Sequence, residues 1–186
     1  MWTSLPQLNM RLFLAINFDN QTKKNLQKAQ QLLKAQGEGH FSRPDNFHLT
    51  LAFLGEKDEK ELEKIKKVMD KVKMPKLTLT FSKLNCFKRE DETWWIGIED
   101  NKQLIDFQHE LAHAIEKEGL YKPEKNFVPH ITLARGMSTG KLSMDIGKFK
   151  FETNSFSLMR SQRTNGTLNY FQEYERKEDV KSLSFR

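Results

Sequence analysis

The sequence predicts an α+β fold built largely from antiparallel sheet. Three observations carry this. Strand and helix patterns are mixed along the chain, and several strands are joined by short turns. A five-residue phrase is written twice, HLTLA at 48–52 and HITLA at 130–134, near the middle of each half. A composition of 37% apolar and 30% charged residues over 186 positions suits one folded domain, or one domain of two similar lobes, with a charged surface.

Residues 11–18 (RLFLAINF) alternate and read as a strand. Asn20 opens a helix with Leu26, Ala29, Leu32 and Leu33 on one stripe, ending near Gly37. The first phrase makes a strand over 49–53 that Gly55 stops. Asp58 and Glu61 have capping-box spacing and open a helix to about Val72, with Pro75 beyond it. Residues 77–87 and 93–98 read as paired strands around the polar turn 88–92. A helix over 102–118 ends at Gly119, and the second phrase makes a strand over 131–134 that Gly136 stops. Later strands fall at 149–151, 155–161 and 169–176, with Asn165-Gly166 as a hairpin signal between the last two. The repeated phrase predicts two lobes related by a rough two-fold, each giving one strand to a shared cleft. Outside the phrase there is little internal similarity.

Composition excludes several classes of function. No apolar run approaches the ~20 residues a membrane helix needs. The opening, MWTSLPQLNM, has neither the basic flank nor the apolar core of a signal peptide. The single cysteine, Cys86, rules out an internal disulfide framework and predicts a cytoplasmic protein; its apolar setting suits a packed thiol better than a nucleophile. A net charge of +6 favours anionic partners such as nucleotides or RNA. The mixed charges over 56–76 suit a solvated helix face. No coiled-coil pattern is visible, and a monomer is expected.

Side chains alternate between the faces of a strand. Each phrase therefore turns His and Thr to one side and two aliphatic residues to the other. Together the two phrases supply His48, Thr50, His130 and Thr132: two groups that titrate near neutral pH and two hydroxyls that donate to an oxyanion. That set suits acid–base chemistry at a phosphate. A second pattern competes, since His109-Glu110-Leu111-Ala112-His113 matches the HExxH zinc motif. Helical spacing argues against it. Leu104, Phe107, Leu111 and Ile115 form the apolar stripe and leave His109 and His113 on the opposite side. Arg135 follows the second phrase; spacing leaves a phosphate clamp and a surface arginine equally open. Arg43, Arg160 and Arg163 are weaker candidates for lining an anion groove. Phe47, Phe127, Trp94, Trp95 and Tyr170 are candidates for stacking a base, with core packing the better reading for most.

The two HxTx phrases resemble the signature of the two-histidine phosphoesterases. The wider wording (RLFLAI, RPDNFHLTLAFLGE, FVPHITLARG and FSLMRSQRTNGTLNYFQEYE) is similar to the bacterial RNA 2′,3′-cyclic phosphodiesterase family, also called 2′-5′ RNA ligase. This resemblance implies a bilobal α+β domain over 1–186 with the motifs facing each other across a central cleft. It implies opening of 2′,3′-cyclic phosphate RNA ends to 2′-phosphates, without metal or other cofactor, and in some members reversible 2′-5′ ligation. By position it makes His48 the proton donor and His130 the proton acceptor, and puts Thr50, Thr132 and Arg135 on the phosphate. A different cyclic phosphate, a 2′-5′ oligonucleotide, or RNA-end binding without turnover are the alternatives.

Overall fold

The computed structural model describes residues 9–88, 90–137, 139 and 144–179. The segment 1–8, read above as no signal peptide, lies outside the described residues. The architecture is α+β, as the sequence predicts, with every strand pairing antiparallel.

Strand β1 (Met10–Asn17) leads to helix α1 (Asn20–Lys34), whose Asp19 cap accepts the Thr22 N–H at 2.7 Å. A two-residue strand β2 (His40–Phe41) and a 3₁₀ turn (Pro44–Asn46) precede β3 (His48–Lys57). Helix α2 (Glu59–Lys71) opens with a full capping box: Glu61 N–H donates to Asp58, and Asp58 N–H donates to the Glu61 carboxylate. Strands β4 (Leu77–Lys88) and β5 (Glu92–Ile98) form the expected pair. Helix α3 (Lys102–Lys117) is capped by Asn101 and ends before Gly119, whose φ of +69° closes the turn. Then come β6 (His130–Met137), β7 (Phe149–Thr153), β8 (Ser155–Thr164) and β9 (Thr167–Lys177). Asn165 (φ 51°) and Gly166 (φ 77°) make the two-residue turn between β8 and β9, the left-handed geometry for which Asn-Gly is suited.

Two sheets result, in the orders β3-β1-β8-β9 and β2-β6-β5-β4-β7. One motif strand belongs to each, and β3 packs against β6 where the sheets meet. A continuous apolar core lies behind both, containing Leu49, Leu51, Ile131 and Leu133 of the motifs with the buried stripes of all three helices. On the other face of the first sheet Phe13, Ala15 and Met159 form a small separate cluster with Tyr170.

Neither glycine stops its motif strand. The first strand runs through Gly55 (φ +75°) to Lys57 and the second through Gly136 (φ +65°) to Met137. The left-handed backbone is absorbed at irregularities in the pairing. Leu12 and Phe13 pair with Gly55 and Phe53, and Glu92 and Thr93 pair with Met137 and Arg135. Glycine here marks a bulge inside a strand.

Candidate active site

Within each motif the burial pattern is the one that alternation predicts: His48 and Thr50, and His130 and Thr132, are half-buried, while Leu49, Leu51, Ile131 and Leu133 are in the core. The pairing then slips by one residue at the same place in both. Leu14 and Ala15 pair with Ala52 and Thr50, leaving Leu51 without an opposite residue. Trp94 and Trp95 pair with Ala134 and Thr132, leaving Leu133 without one. An extra residue in one strand resets which face the following side chains use. Leu133 and Ala134 are both buried in succession, and Arg135 emerges on the face of His130 and Thr132. Strict alternation would have sent Arg135 to the other side. Its charge bears on both imidazoles and on Tyr170.

The two histidines are held alike. His48 Nδ1 lies 2.7 Å from the carbonyl of Asn46, and His130 Nδ1 lies 2.7 Å from the carbonyl of Val128. A carbonyl only accepts, so Nδ1 carries the hydrogen in both rings and Nε2 is the atom left for proton transfer. His48 Nε2 is 2.9 Å from Thr50 Oγ1, whose hydroxyl donates to it while the ring is neutral. Each ring also stands between two aromatic side chains. His48 has Phe13 at 4.9 Å and Tyr170 edge-on at 5.1 Å; His130 has Phe87 edge-on at 5.1 Å and Trp95 at 5.6 Å.

These walls set the electrostatics. Burial is the largest cause in pushing His48 down from the usual 6.5 to about 4. The Asn46 carbonyl opposes the shift, and the charges of His130, Lys23 and Arg135 add to it. Burial also lowers His130, against the Val128 carbonyl and with Arg135 adding to the shift. Burial raises the Tyr170 hydroxyl, and Arg135, Arg11 and Arg163 pull it back. Lys23 and Arg135 thus bring positive charge to the imidazoles and Arg11 and Arg163 bring it to the neighbouring Tyr170, while Glu124 opposes it at His130. Positive charge of this kind favours an anion beside the two rings.

Several sequence candidates fall elsewhere. Phe47 and Trp94 are core residues, and Trp94 Nε1 donates to Glu92 at 3.0 Å. Phe127 packs on the main core. Trp95 and Tyr170 do reach the site, as walls of the two imidazoles. Arg160 pairs with Glu173 and lies over Phe171, on the face opposite Phe13 and Met159. Arg43 donates to Asn169 at 3.0 Å. His109, Glu110 and His113 are all exposed, opposite the buried stripe of α3. Among the described residues no group of three His, Cys, Asp or Glu side chains is placed to hold a metal. Burial raises the Cys86 thiol above its usual range, the wrong direction for a nucleophile.

Sequence reasoning missed Phe13, Phe87, Arg11, and the Asn46 and Val128 carbonyls. The carbonyls carry no sequence signal beyond standing two residues before each histidine. Alternation along β1 puts Arg11 and Phe13 on one face with Ala15 and Asn17, but only the register that pairs Asn17 with His48 brings that face to the site.

Comparison with known proteins agrees with this architecture. A family model described as the 2′-5′ RNA ligase superfamily matches residues 18–165, a span that includes both motifs. The chain is 33% identical over 131 residues to an RNA 2′,3′-cyclic phosphodiesterase of Thermotoga maritima, covering 68% of this chain and 70% of that one. It is 31% identical over 173 residues to the protein of the same name from Methanocaldococcus jannaschii, covering 86% and 96%. The crystal structure of Escherichia coli LigT complexed with 3′-AMP superposes with a TM-score of 0.82 at 25% identity, covering 91% of this chain and 98% of LigT. A match that runs unbroken across both histidine strands, joined to a shared fold over nine-tenths of the chain, means that this chain belongs to the 2′-5′ RNA ligase superfamily.

Proposed function

We propose that the chain is one bilobal domain, each lobe giving one HxTx strand to a shared cleft, and that it hydrolyses 2′,3′-cyclic phosphate ends of RNA to 2′-phosphomonoesters. The observation that carries this is the paired imidazoles: both have Nδ1 held by a carbonyl, leaving Nε2 for proton transfer, and the charge of Arg135 bears on both. The relatives named RNA 2′,3′-cyclic phosphodiesterase support the substrate, and the LigT complex with 3′-AMP supports nucleotide binding by a protein of this fold.

In the proposed reaction water attacks phosphorus and the P–O3′ bond breaks. His130 Nε2 takes the proton from water, and His48 Nε2 gives a proton to the departing O3′. Thr50, Thr132 and Arg135 hold the non-bridging oxygens, the guanidinium by its paired donors. Burial keeps His48 neutral at pH 7 in the free protein. The substrate brings the anion that favours its charged form. The two imidazoles supply both proton transfers, so no metal or cofactor is required. The same chemistry with an RNA 5′-hydroxyl in place of water would open the cyclic phosphate into a 2′-5′ bond, with O3′ again leaving as a hydroxyl.

The test is hydrolysis of an RNA oligonucleotide ending in a 2′,3′-cyclic phosphate, in excess EDTA, beside the same oligonucleotide with sulfur in place of the bridging O3′. Thiolate leaves without a proton. The sulfur substrate should restore most of the rate to His48→Ala and little to His130→Ala. Restoration of His130→Ala alone would reverse the two roles, and no turnover by the wild type would replace hydrolysis by binding or another phosphodiester.

A further inference from the structure

Two glutamines lie where the helices should present only apolar side chains. Gln30 sits among Leu26, Ala29 and Leu33 on α1 and is 1% exposed. Gln108 sits among Leu104, Phe107 and Leu111 on α3 and is 6% exposed. A buried amide is held in place only if its hydrogen bonds are made. Gln30 Nε2 donates to the carbonyl of Leu133 at 2.9 Å and to that of Ser42 at 2.7 Å. Gln108 Nε2 donates to the carbonyl of Leu51 at 2.9 Å.

Leu51 and Leu133 occupy the same place in the two motifs. They are the residues left without an opposite partner in the β1–β3 and β5–β6 pairings, and the Leu133 carbonyl also accepts the Ser42 N–H at 2.8 Å from the β2 side. A bulge interrupts the ladder, so its geometry needs support from outside the sheet. Here the support is crossed. Helix α1 follows β1 of the first sheet, yet Gln30 holds β6 of the second. Helix α3 follows β5 of the second sheet, yet Gln108 holds β3 of the first.

We infer that Gln30 and Gln108 are paired positioning residues, a crossed brace that fixes each motif strand at its bulge and thereby sets the aim of the two imidazoles and of Arg135 toward one another. Neither glutamine touches the reacting atoms. Each acts through a leucine carbonyl one residue beyond a motif threonine and three beyond its histidine. The inference rests on the two-histidine reading of the cleft. It adds what keeps two histidines, carried by different sheets, in one fixed relation.

The experiment replaces each glutamine by methionine, close in shape but without the amide donors, and reads ¹⁵N and ¹H signals of the histidine rings beside kcat, KM and thermal midpoint. Gln30→Met should move the signals of His130 and leave those of His48; Gln108→Met should do the reverse. Each should lower kcat by roughly 10- to 100-fold with KM little changed, since a misplacement near 1 Å can cost about that much. Variants that fold with wild-type ring signals and wild-type kcat would overturn the brace and leave the glutamines as core filling. Should either methionine variant fail to fold, Gln30→Asn and Gln108→Asn, which shorten the amide but keep it, are read in the same way. If the wild type hydrolyses no cyclic phosphate, the proposed reaction falls, while the crossed pattern of ring signals still decides the brace.

Discussion

Both imidazoles give Nδ1 to a carbonyl two residues back and keep Nε2 for the cleft. The sign of their pKa shifts makes several outcomes checkable at this scale. In the proposed mechanism replacing either ring removes one proton transfer, so His48→Ala and His130→Ala should each lose about 10²–10⁴-fold in kcat on the cyclic substrate. Both rings are lowered in the free protein, so the bell of kcat/KM should centre on the acid side of the usual 6.5. The bound phosphate favours the imidazolium, and the bell of kcat should lie at higher pH. A kcat/KM bell centred above 7 would contradict the burial argument. Stability follows the same sign. A ring whose folded pKa lies near 4 is protonated more readily in the unfolded chain, so its contribution is lost as pH falls from 6.5 towards 4. Thermal midpoints over that range should fall less steeply for His48→Gln than for the wild type.

At the scale of the element, the bulge decides what the motif strand presents. It turns Arg135 to the histidine side in the second sheet. In the first it turns Phe53, 46% exposed, to the corresponding place, where the ring stacks on Phe13 with the Arg11 guanidinium 5.7 Å from its centre. The same backbone irregularity therefore sets a cation beside one motif and an aromatic ring beside the other. Arg135→Lys should keep part of the activity and Arg135→Ala less, because a lysine keeps the charge but not the two-pronged geometry. Either ordering is read from kcat/KM. Arg135→Ala also removes a like charge from both imidazoles, and the acid limb of its pH profile should move upward. Gly97 pairs with His130, and a Cβ there would stand 3.0 Å from Cζ3 of Trp95. Gly97→Ala should push the indole off the His130 ring and lower kcat, measured against an unchanged circular dichroism spectrum. Farther from the cleft, Asp58→Ala removes the cap of α2 and should cost about 0.5–2 kcal/mol in denaturant unfolding with little effect on kcat.

For the whole molecule the relation between the sheets matters most. The motif strands sit side by side, and a single apolar core backs both. The positive charge around the site, on a chain of net charge +6, gives the molecule a field that draws polyanions. On an RNA oligonucleotide kcat/KM should fall as salt rises from 50 to 500 mM, and fall less on a mononucleotide 2′,3′-cyclic phosphate. Equal slopes for the two substrates would mean that the field acts only on the phosphate in the cleft. No helix among the described residues is long and apolar enough to cross a membrane.

Much of this was legible in the sequence because it depends on local rules. Period-two alternation put His48, Thr50, His130 and Thr132 on one side of their strands. The Asp58–Glu61 spacing marked a capping box, Asn165-Gly166 marked a hairpin turn, and the stripe Leu104, Phe107, Leu111 and Ile115 turned His109 and His113 outward. These features follow from residues at most a few positions apart. Only the tertiary structure decided where Arg135 points, since a bulge exists only relative to a partner strand and the sequence of β6 alone reads as regular. For the same reason Gly55 and Gly136 read as strand stops and are instead positions inside strands. Gln30 and Gln108 left a weaker trace, a polar residue on an apolar stripe, and their partners Leu133 and Leu51 lie 103 and 57 residues away in the chain. Burial of the imidazoles is likewise a property of packing. The repeated phrase names the groups that can move protons, and the meeting of two sheets sets their charge, their aim and their distance from one another.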